Sequence, residues 1–199
     1  MPNDNNSELK FVGIDPGVSG AIAVIDCERN ILLCEDFPVS EVAKSPRYVK
    51  CKDKETGEVK SVRRQGSRRE FDFRKLAKVF DTLGFMTGKK VVVLESVTAM
   101  PRDSTTGAFT FGGSFWALQM ALADRCLGYE LVKAKTWQQK ILAGNFCKDK
   151  KELRKVYLNV ARKMFRIDLP FKKDAEKAAA LLLAEYCRRN FIENYSTNT

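Results

Sequence analysis

Apolar residues along this chain change period several times, and each change marks an element. From Phe11 to Ile25, β-branched residues alternate with Gly13, Gly17 and Gly20, the pattern of a strand, a tight turn and a second strand returning. Asn30 to Phe37 supplies a third strand. Phe71, Leu76, Val79, Phe80 and Leu83 recur at near-helical spacing, which predicts a helix over Phe71 to Phe85 that Gly84 or Gly88 ends. Val91, Val92, Val93 and Leu94 form an unbroken aliphatic run before Glu95, as in a strand covered on both faces. Further on, the spacing predicts a helix from about Phe115 to Cys126 and a short strand over Tyr129 to Val132. An amphipathic helix over Lys150 to Phe165 and an Ala- and Leu-rich helix over Ala175 to Phe191 complete the pattern. Antiparallel strands first, then alternating strands and helices, define the α/β class with a mixed sheet flanked by helices. There is no internal repeat and no low-complexity tract. The expected organisation is a polar tail over residues 1–10, one domain over 11–191 and a tail over 192–199.

Between Lys44 and Glu70 the pattern breaks. Ten cations, including Lys50, Lys52, Arg63, Arg64, Arg68 and Arg69, stand against Asp53, Glu55, Glu58 and Glu70, so this is a basic insertion, expected to fold as a hairpin turning at Thr56-Gly57. A solvated loop is the plain alternative. The formal net charge of the whole chain is +10, which favours a polyanionic partner, nucleic acid first.

The chain has no histidine, which excludes imidazole as base, nucleophile or metal ligand and removes Ser-His-Asp and Cys-His catalysis. Six cysteines without a C-x-x-C pair argue against structural zinc and for packed, reduced thiols in an intracellular protein. Met1 to Lys10 is unlike a signal or transit peptide and no apolar run approaches a membrane span, so a soluble protein without membrane partners is expected.

The remaining chemistry lies with carboxylates. Asp15 ends an apolar strand just before Pro16-Gly17, where glycines let a ligand approach; a turn aspartate satisfying local amides is the alternative. Glu95 closes an aliphatic strand, where a charge is seldom buried unless it is paired or metal-bound, or else it simply enters solvent. Two such acids on neighbouring strands suit Mg²⁺ or Mn²⁺, and a two-ion site hydrolyses phosphodiesters without histidine. Asp174 and Glu176 at the head of the last helix offer further ligands, or serve as cap and first-turn charge.

Three ordered segments then resemble one family. Phe11-Val-Gly-Ile-Asp-Pro-Gly-Val-Ser-Gly-Ala21, Val93-Leu-Glu-Ser-Val97 and Lys172-Lys-Asp-Ala-Glu-Lys-Ala-Ala-Ala-Leu-Leu-Leu-Ala184 are similar to the RuvC family of Holliday junction resolvases, in particular its phage, bacterial and chloroplast group. Phe109-Thr-Phe-Gly-Gly-Ser-Phe-Trp116 resembles the aromatic, Gly-rich middle segment of that group. The likeness spans roughly Phe11 to Tyr186. It implies a ribonuclease-H-like fold, a homodimer, two Mg²⁺ ions per site and paired symmetric nicks in four-way DNA junctions. It also implies a bacterial or phage-infected cytoplasm, or a chloroplast after removal of a transit peptide.

Carried over residue by residue, Asp15 and Glu95 match the first two catalytic acids and, with Glu176, form the implied metal set. The last motif departs: relatives carry an acid where this chain has Ala179. Either Ala179 replaces a native acid, which would cripple catalysis, or Glu176 and Asp174 have taken over; alanine is also the best helix former. For DNA binding, the expected residues are Lys50, Lys52, Arg63, Arg64, Arg68 and Arg69 on the basic insertion, with Lys135, Lys148, Lys172 and Lys173 flanking the site. Phe109 or Phe111, in a segment expected to overhang that site, would stack on an unpaired base, unless these rings serve core or dimer contacts. The helix carrying Trp116, Leu118, Met120 and Leu122 is the expected dimer interface, with burial in the monomer core as the competing account. Two rival functions are a nuclease acting on RNA-DNA hybrids and a junction-binding protein that never cuts.

Overall fold

The computed structural model of the chain describes residues 9–52, 57–98, 104–145, 147 and 149–196. Strand β1 (Lys10–Asp15) pairs antiparallel with β2 (Ala21–Ile25), which pairs antiparallel with β3 (Ile31–Asp36). On its other side β1 runs parallel to β8 (Lys90–Ser96), which runs parallel to β9 (Tyr129–Lys133), giving a five-stranded sheet of order β3-β2-β1-β8-β9. This is the mixed sheet of the ribonuclease-H-like α/β class. β1 is central and buried on both sides, which is why its sequence is apolar at every position from Phe11 to Ile14 except Gly13.

Helix α1 (Phe73–Phe85) and helix α2 (Thr105–Asp124) cover one face, where Val12, Ile14, Ile22 and Leu94 meet Phe80, Leu83, Leu118 and Leu122. Helices α3 (Ala134–Leu142), α4 (Lys150–Phe165) and α5 (Ala175–Ser196) cover the other, where Phe11, Ala23 and Val93 meet Trp137, Leu158 and Leu181. α5 lies almost in backbone contact with β1: a methyl group at Gly13 would stand 2.3 Å from both the Ala180 carbonyl oxygen and the Ala184 nitrogen. Small residues are therefore required on both partners there.

Between β3 and α1 the chain makes an antiparallel ribbon. β4 (Val39–Ala43) pairs with β7 (Ser67–Phe71), and further out β5 (Arg47–Lys52) pairs with β6 (Val59–Arg64). The expected hairpin is present, although Thr56 of its turn lies outside the described residues.

Several boundaries differ from expectation. α2 begins at Thr105 rather than near Phe115, because Ser104 caps it by accepting from the Gly107 N–H at 3.1 Å and Gly112-Gly113 continue the helix. α3 was not expected. α5 continues past Phe191 to Ser196. The six cysteines are all free, with Cys187 buried and Cys126 exposed. No helix among the described residues is long and apolar enough to cross a membrane.

Candidate active site

The period of two along a strand decides where the acids point. Phe11 and Gly13 face α5, so Asp15 does too; Val91 and Val93 face the same way, and so does Glu95. In the parallel β1/β8 pair Ile14 stands beside Leu94, which sets Asp15 and Glu95 side by side at the carboxyl ends of adjacent strands. α5 begins over that edge, bringing Glu176 and, one turn on, Ala179. Together these four residues line an open cleft of about 470 Å³ with Lys150, Arg154, Tyr157, Trp137 and Phe111.

Beyond Asp15 the backbone reverses through Pro16–Gly20, closed by the Gly20 N–H donating to the Gly17 carbonyl at 2.9 Å. Gly17 has φ +110°, and a methyl group at Gly20 would stand 2.0 Å from the Asp15 carbonyl oxygen, so both positions demand glycine. The Phe111 ring packs on Gly17. Arg69, at the base of the ribbon, donates to the Ser19 hydroxyl at 2.7 Å and braces this loop from outside.

Burial raises the Asp15 carboxyl well above its ordinary value, and the neighbouring Glu95 and Glu176 raise it further against a small opposing effect of Arg154. Burial also pushes up Glu95, while a hydrogen bond from the Trp137 indole N–H at 2.7 Å works the other way. Glu176 is raised by burial and opposed by Arg154, with which it forms a salt bridge. Trp137 is fully buried and packs on Tyr157 at 5.3 Å between centroids; the Tyr157 hydroxyl in turn accepts from Gln138 Nε2 at 2.5 Å.

Three partly desolvated carboxylates crowded at one cleft are short of positive charge, and their donors are all hard oxygens. That fits Mg²⁺ or Mn²⁺ and does not fit a thiolate-seeking metal. Among the described residues no three ligating side chains are already gathered into a cage. Like charges repel, and Glu176 is turned onto Arg154.

The other expected residues are distributed as follows. Asp174 is buried but accepts from the Phe171 N–H at 2.9 Å, so its carboxylate closes the turn before α5 and does not line the cleft. Lys172 and Lys173 are exposed on that turn, with the Lys173 ammonium 5.3 Å from the centre of the Phe171 ring; Lys135 is exposed on α3. Lys148 lies outside the described residues. Lys50, Lys52, Arg63 and Arg64 are exposed on the outer hairpin, whereas Arg68 pairs with Glu70 at 2.6 Å. Phe109 and Phe111 sit on α2, not on an overhanging loop; Phe109 is exposed, and only Phe111 reaches the cleft. Leu118 and Leu122 are buried in the core and cannot form an interface, so of the four residues expected there only Trp116 and Met120 are exposed.

Arg154, Tyr157, Trp137 and Gln138 escaped the sequence reading. Lys150, Arg154 and Tyr157 recur at i, i+4 and i+7 on α4, a signal that was present; Trp137 and Gln138 lie on the short α3, which gave none.

No protein-family model and no curated protein matches the chain. Among solved structures it is similar to T. thermophilus RuvC in complex with Holliday junction substrate, at 12% identity and TM-score 0.47 over 94% of this chain and 97% of that one. It is also similar to a Thermus thermophilus RuvC structure, at 16% identity and TM-score 0.46 over 91% and 96%. Strand order and strand direction, rather than these distant likenesses, define the fold.

Proposed function

We propose that the chain is a structure-selective endonuclease of four-way DNA junctions, a Holliday junction resolvase that hydrolyses phosphodiesters with divalent cations. The observation that carries this reading is the convergence of Asp15, Glu95 and Glu176, from two strand ends and a helix start, on one open cleft rimmed by Lys150 and Arg154. Two Mg²⁺ or Mn²⁺ ions held by the three carboxylates would activate water and stabilise the leaving oxygen. Trp137 fixes one oxygen of Glu95 and leaves the other for a ligand. Lys150 and Arg154 would hold the scissile phosphate against the acids, and Phe111, which lines the cleft beside Gly17, would stack on a base unpaired at the crossover. The motif resemblance and the +10 charge support a four-way DNA substrate. Paired symmetric nicks require two sites related by a two-fold axis, hence a homodimer, for which Trp116 and Met120 offer exposed apolar contact.

Ala179 favours a second reading, that of a junction-binding protein that does not cut. It occupies the cleft wall one turn from Glu176, where the resemblance calls for an acid. The test compares the chain with Ala179→Glu and Ala179→Asp on labelled four-way junctions in Mg²⁺, with RNA-DNA hybrid duplex as competitor. Paired nicks by the parent or gained by an acidic variant are expected. Tight binding with no nicks from any of the three overturns the nuclease reading, and preference for the hybrid overturns the substrate.

A further inference from the structure

The outer hairpin formed by β5 and β6 has two unlike faces. Residues directly opposite in an antiparallel pair share a face. One face carries Arg47, Val49 and Cys51 against Arg64, Val62 and Lys60; there Val49 and Cys51 are half-buried and Lys60 is paired with Glu58 at 3.2 Å. The other carries Tyr48, Lys50 and Lys52 against Arg63, Ser61 and Val59, every one exposed, with Tyr48 at 76%. Among the described residues no carboxylate stands on this second face. The described strands of the hairpin, residues 47–52 and 59–64, carry no acid to pair with its three cations.

We propose that this open face is the contact surface for a duplex arm of the nucleic acid, with the hairpin seated in its major groove. This inference rests on the nuclease reading for the identity of the polyanion, but not for the choice of face. A two-stranded ribbon, with strands about 4.8 Å apart, fits a major groove about 12 Å wide. Same-face residues recur every ~6.8 Å along β5, about two base-pair rises, so Lys50, Lys52 and Arg63 reach phosphates on the groove walls while Tyr48 meets the groove floor. The three cationic contacts are to phosphates, so they position the arm and read no sequence.

Distance separates this contact from the chemistry. Arg69, paired with Glu41 in the ribbon, is fastened to Ser19 beside the cleft, and Lys50 lies nine residues further along the chain from Glu41. At about 3.3 Å per residue the reach is at most ~30 Å, or about nine base pairs from the reacting phosphate. Affinity should therefore depend on the length of the duplex arms.

The experiment compares two triple variants that remove the same charge from opposite faces, Lys50→Ser/Lys52→Ser/Arg63→Ser and Arg47→Ser/Lys60→Ser/Arg64→Ser. Dissociation constants are measured against salt on four-way junctions with arms of about 20 and about six base pairs, beside a plain duplex, and nicking is scored in parallel. The open-face triple is expected to flatten the slope of log affinity against log salt by about 2.7 on long arms, at about 0.9 per phosphate contact, and hardly at all on short ones. The opposite triple should change the long-arm slope by less than about one. Equal effects of the two triples, or no effect of either, overturn the groove contact whether or not the parent cuts. A parent that holds plain duplex as tightly as junctions, yet shows the face-specific change in slope, keeps the groove contact and overturns the junction reading alone.

Discussion

Trp137→Phe isolates the most specific contact in the cleft. Phenylalanine retains an aromatic ring against Tyr157 and removes the indole N–H that meets Glu95 at 2.7 Å, together with part of the ring volume of a fully buried side chain. A hydrogen bond to a charged group contributes about 1.5–3 kcal/mol, and each 1.4 kcal/mol is about tenfold in a binding constant. If the bond serves to hold Glu95 in the orientation that binds a cation, its loss weakens the cation by about 10–100-fold, the range found when outer-shell partners of metal ligands are removed. The measurement is calorimetric titration with Mn²⁺ on parent and variant, beside Tyr157→Phe, which loses the Gln138 contact but keeps the indole donor. The expected outcome is a 10–100-fold weaker Mn²⁺ constant for Trp137→Phe and less than about threefold for Tyr157→Phe. Unchanged Mn²⁺ binding together with a lower melting temperature would refute the reasoning and make Trp137 a packing residue only.

Gly13→Ala should force α5 off β1, because the new methyl meets two backbone atoms of α5 at 2.3 Å, the Ala180 carbonyl oxygen and the Ala184 nitrogen, and backbone cannot rotate away as a side chain can. A cost at the upper end of overpacking, about 3 kcal/mol, would lower the urea midpoint by more than about 1 M; an unchanged midpoint would show that the helix can shift freely. Glu185 is fully buried, which raises its carboxyl, but hydrogen bonds from Arg188 and Arg189 outweigh burial and hold it below its ordinary value of 4.5. Its stabilisation is therefore complete above that value and lost as pH falls through the lower folded one. Glu185→Gln should cost about 1–3 kcal/mol at pH 7, and the gap to the parent should close on acidification below the ordinary carboxylate range; a gap constant with pH in chemical denaturation would contradict this assignment.

What the sequence disclosed and what it hid follow from how each residue is held. Asp15 and Glu95 were legible because a buried central strand writes itself as an aliphatic run, and a charge closing such a run stands out. The partners that orient them were not, since Trp137 belongs to a nine-residue helix that carries Lys and Gln beside its buried positions and is fixed by packing under α5 and not by its own pattern. α2 hid its first ten residues behind Gly107, Gly112 and Gly113, which read as breakers although none has a positive φ.

The alanine run of α5 shows where the two levels of description divide. Close approach to Gly13 accounts for small residues around Ala180 and Ala184, whose backbone atoms would meet any side chain there. It does not account for Ala179, which borders the cleft of about 470 Å³ one turn on from Glu176. Helix propensity explains alanine anywhere on α5 and so cannot single out this position. The close approach to β1 thus explains part of the run, and Ala179 is the alanine of that run that also lines the cleft with the acids. A glutamate introduced at 179 adds a fourth carboxylate to this cleft, so the loss of melting temperature should be largest in chelator and should shrink when Mg²⁺ is added; a loss independent of Mg²⁺ would mean that α5 repacks around the longer side chain.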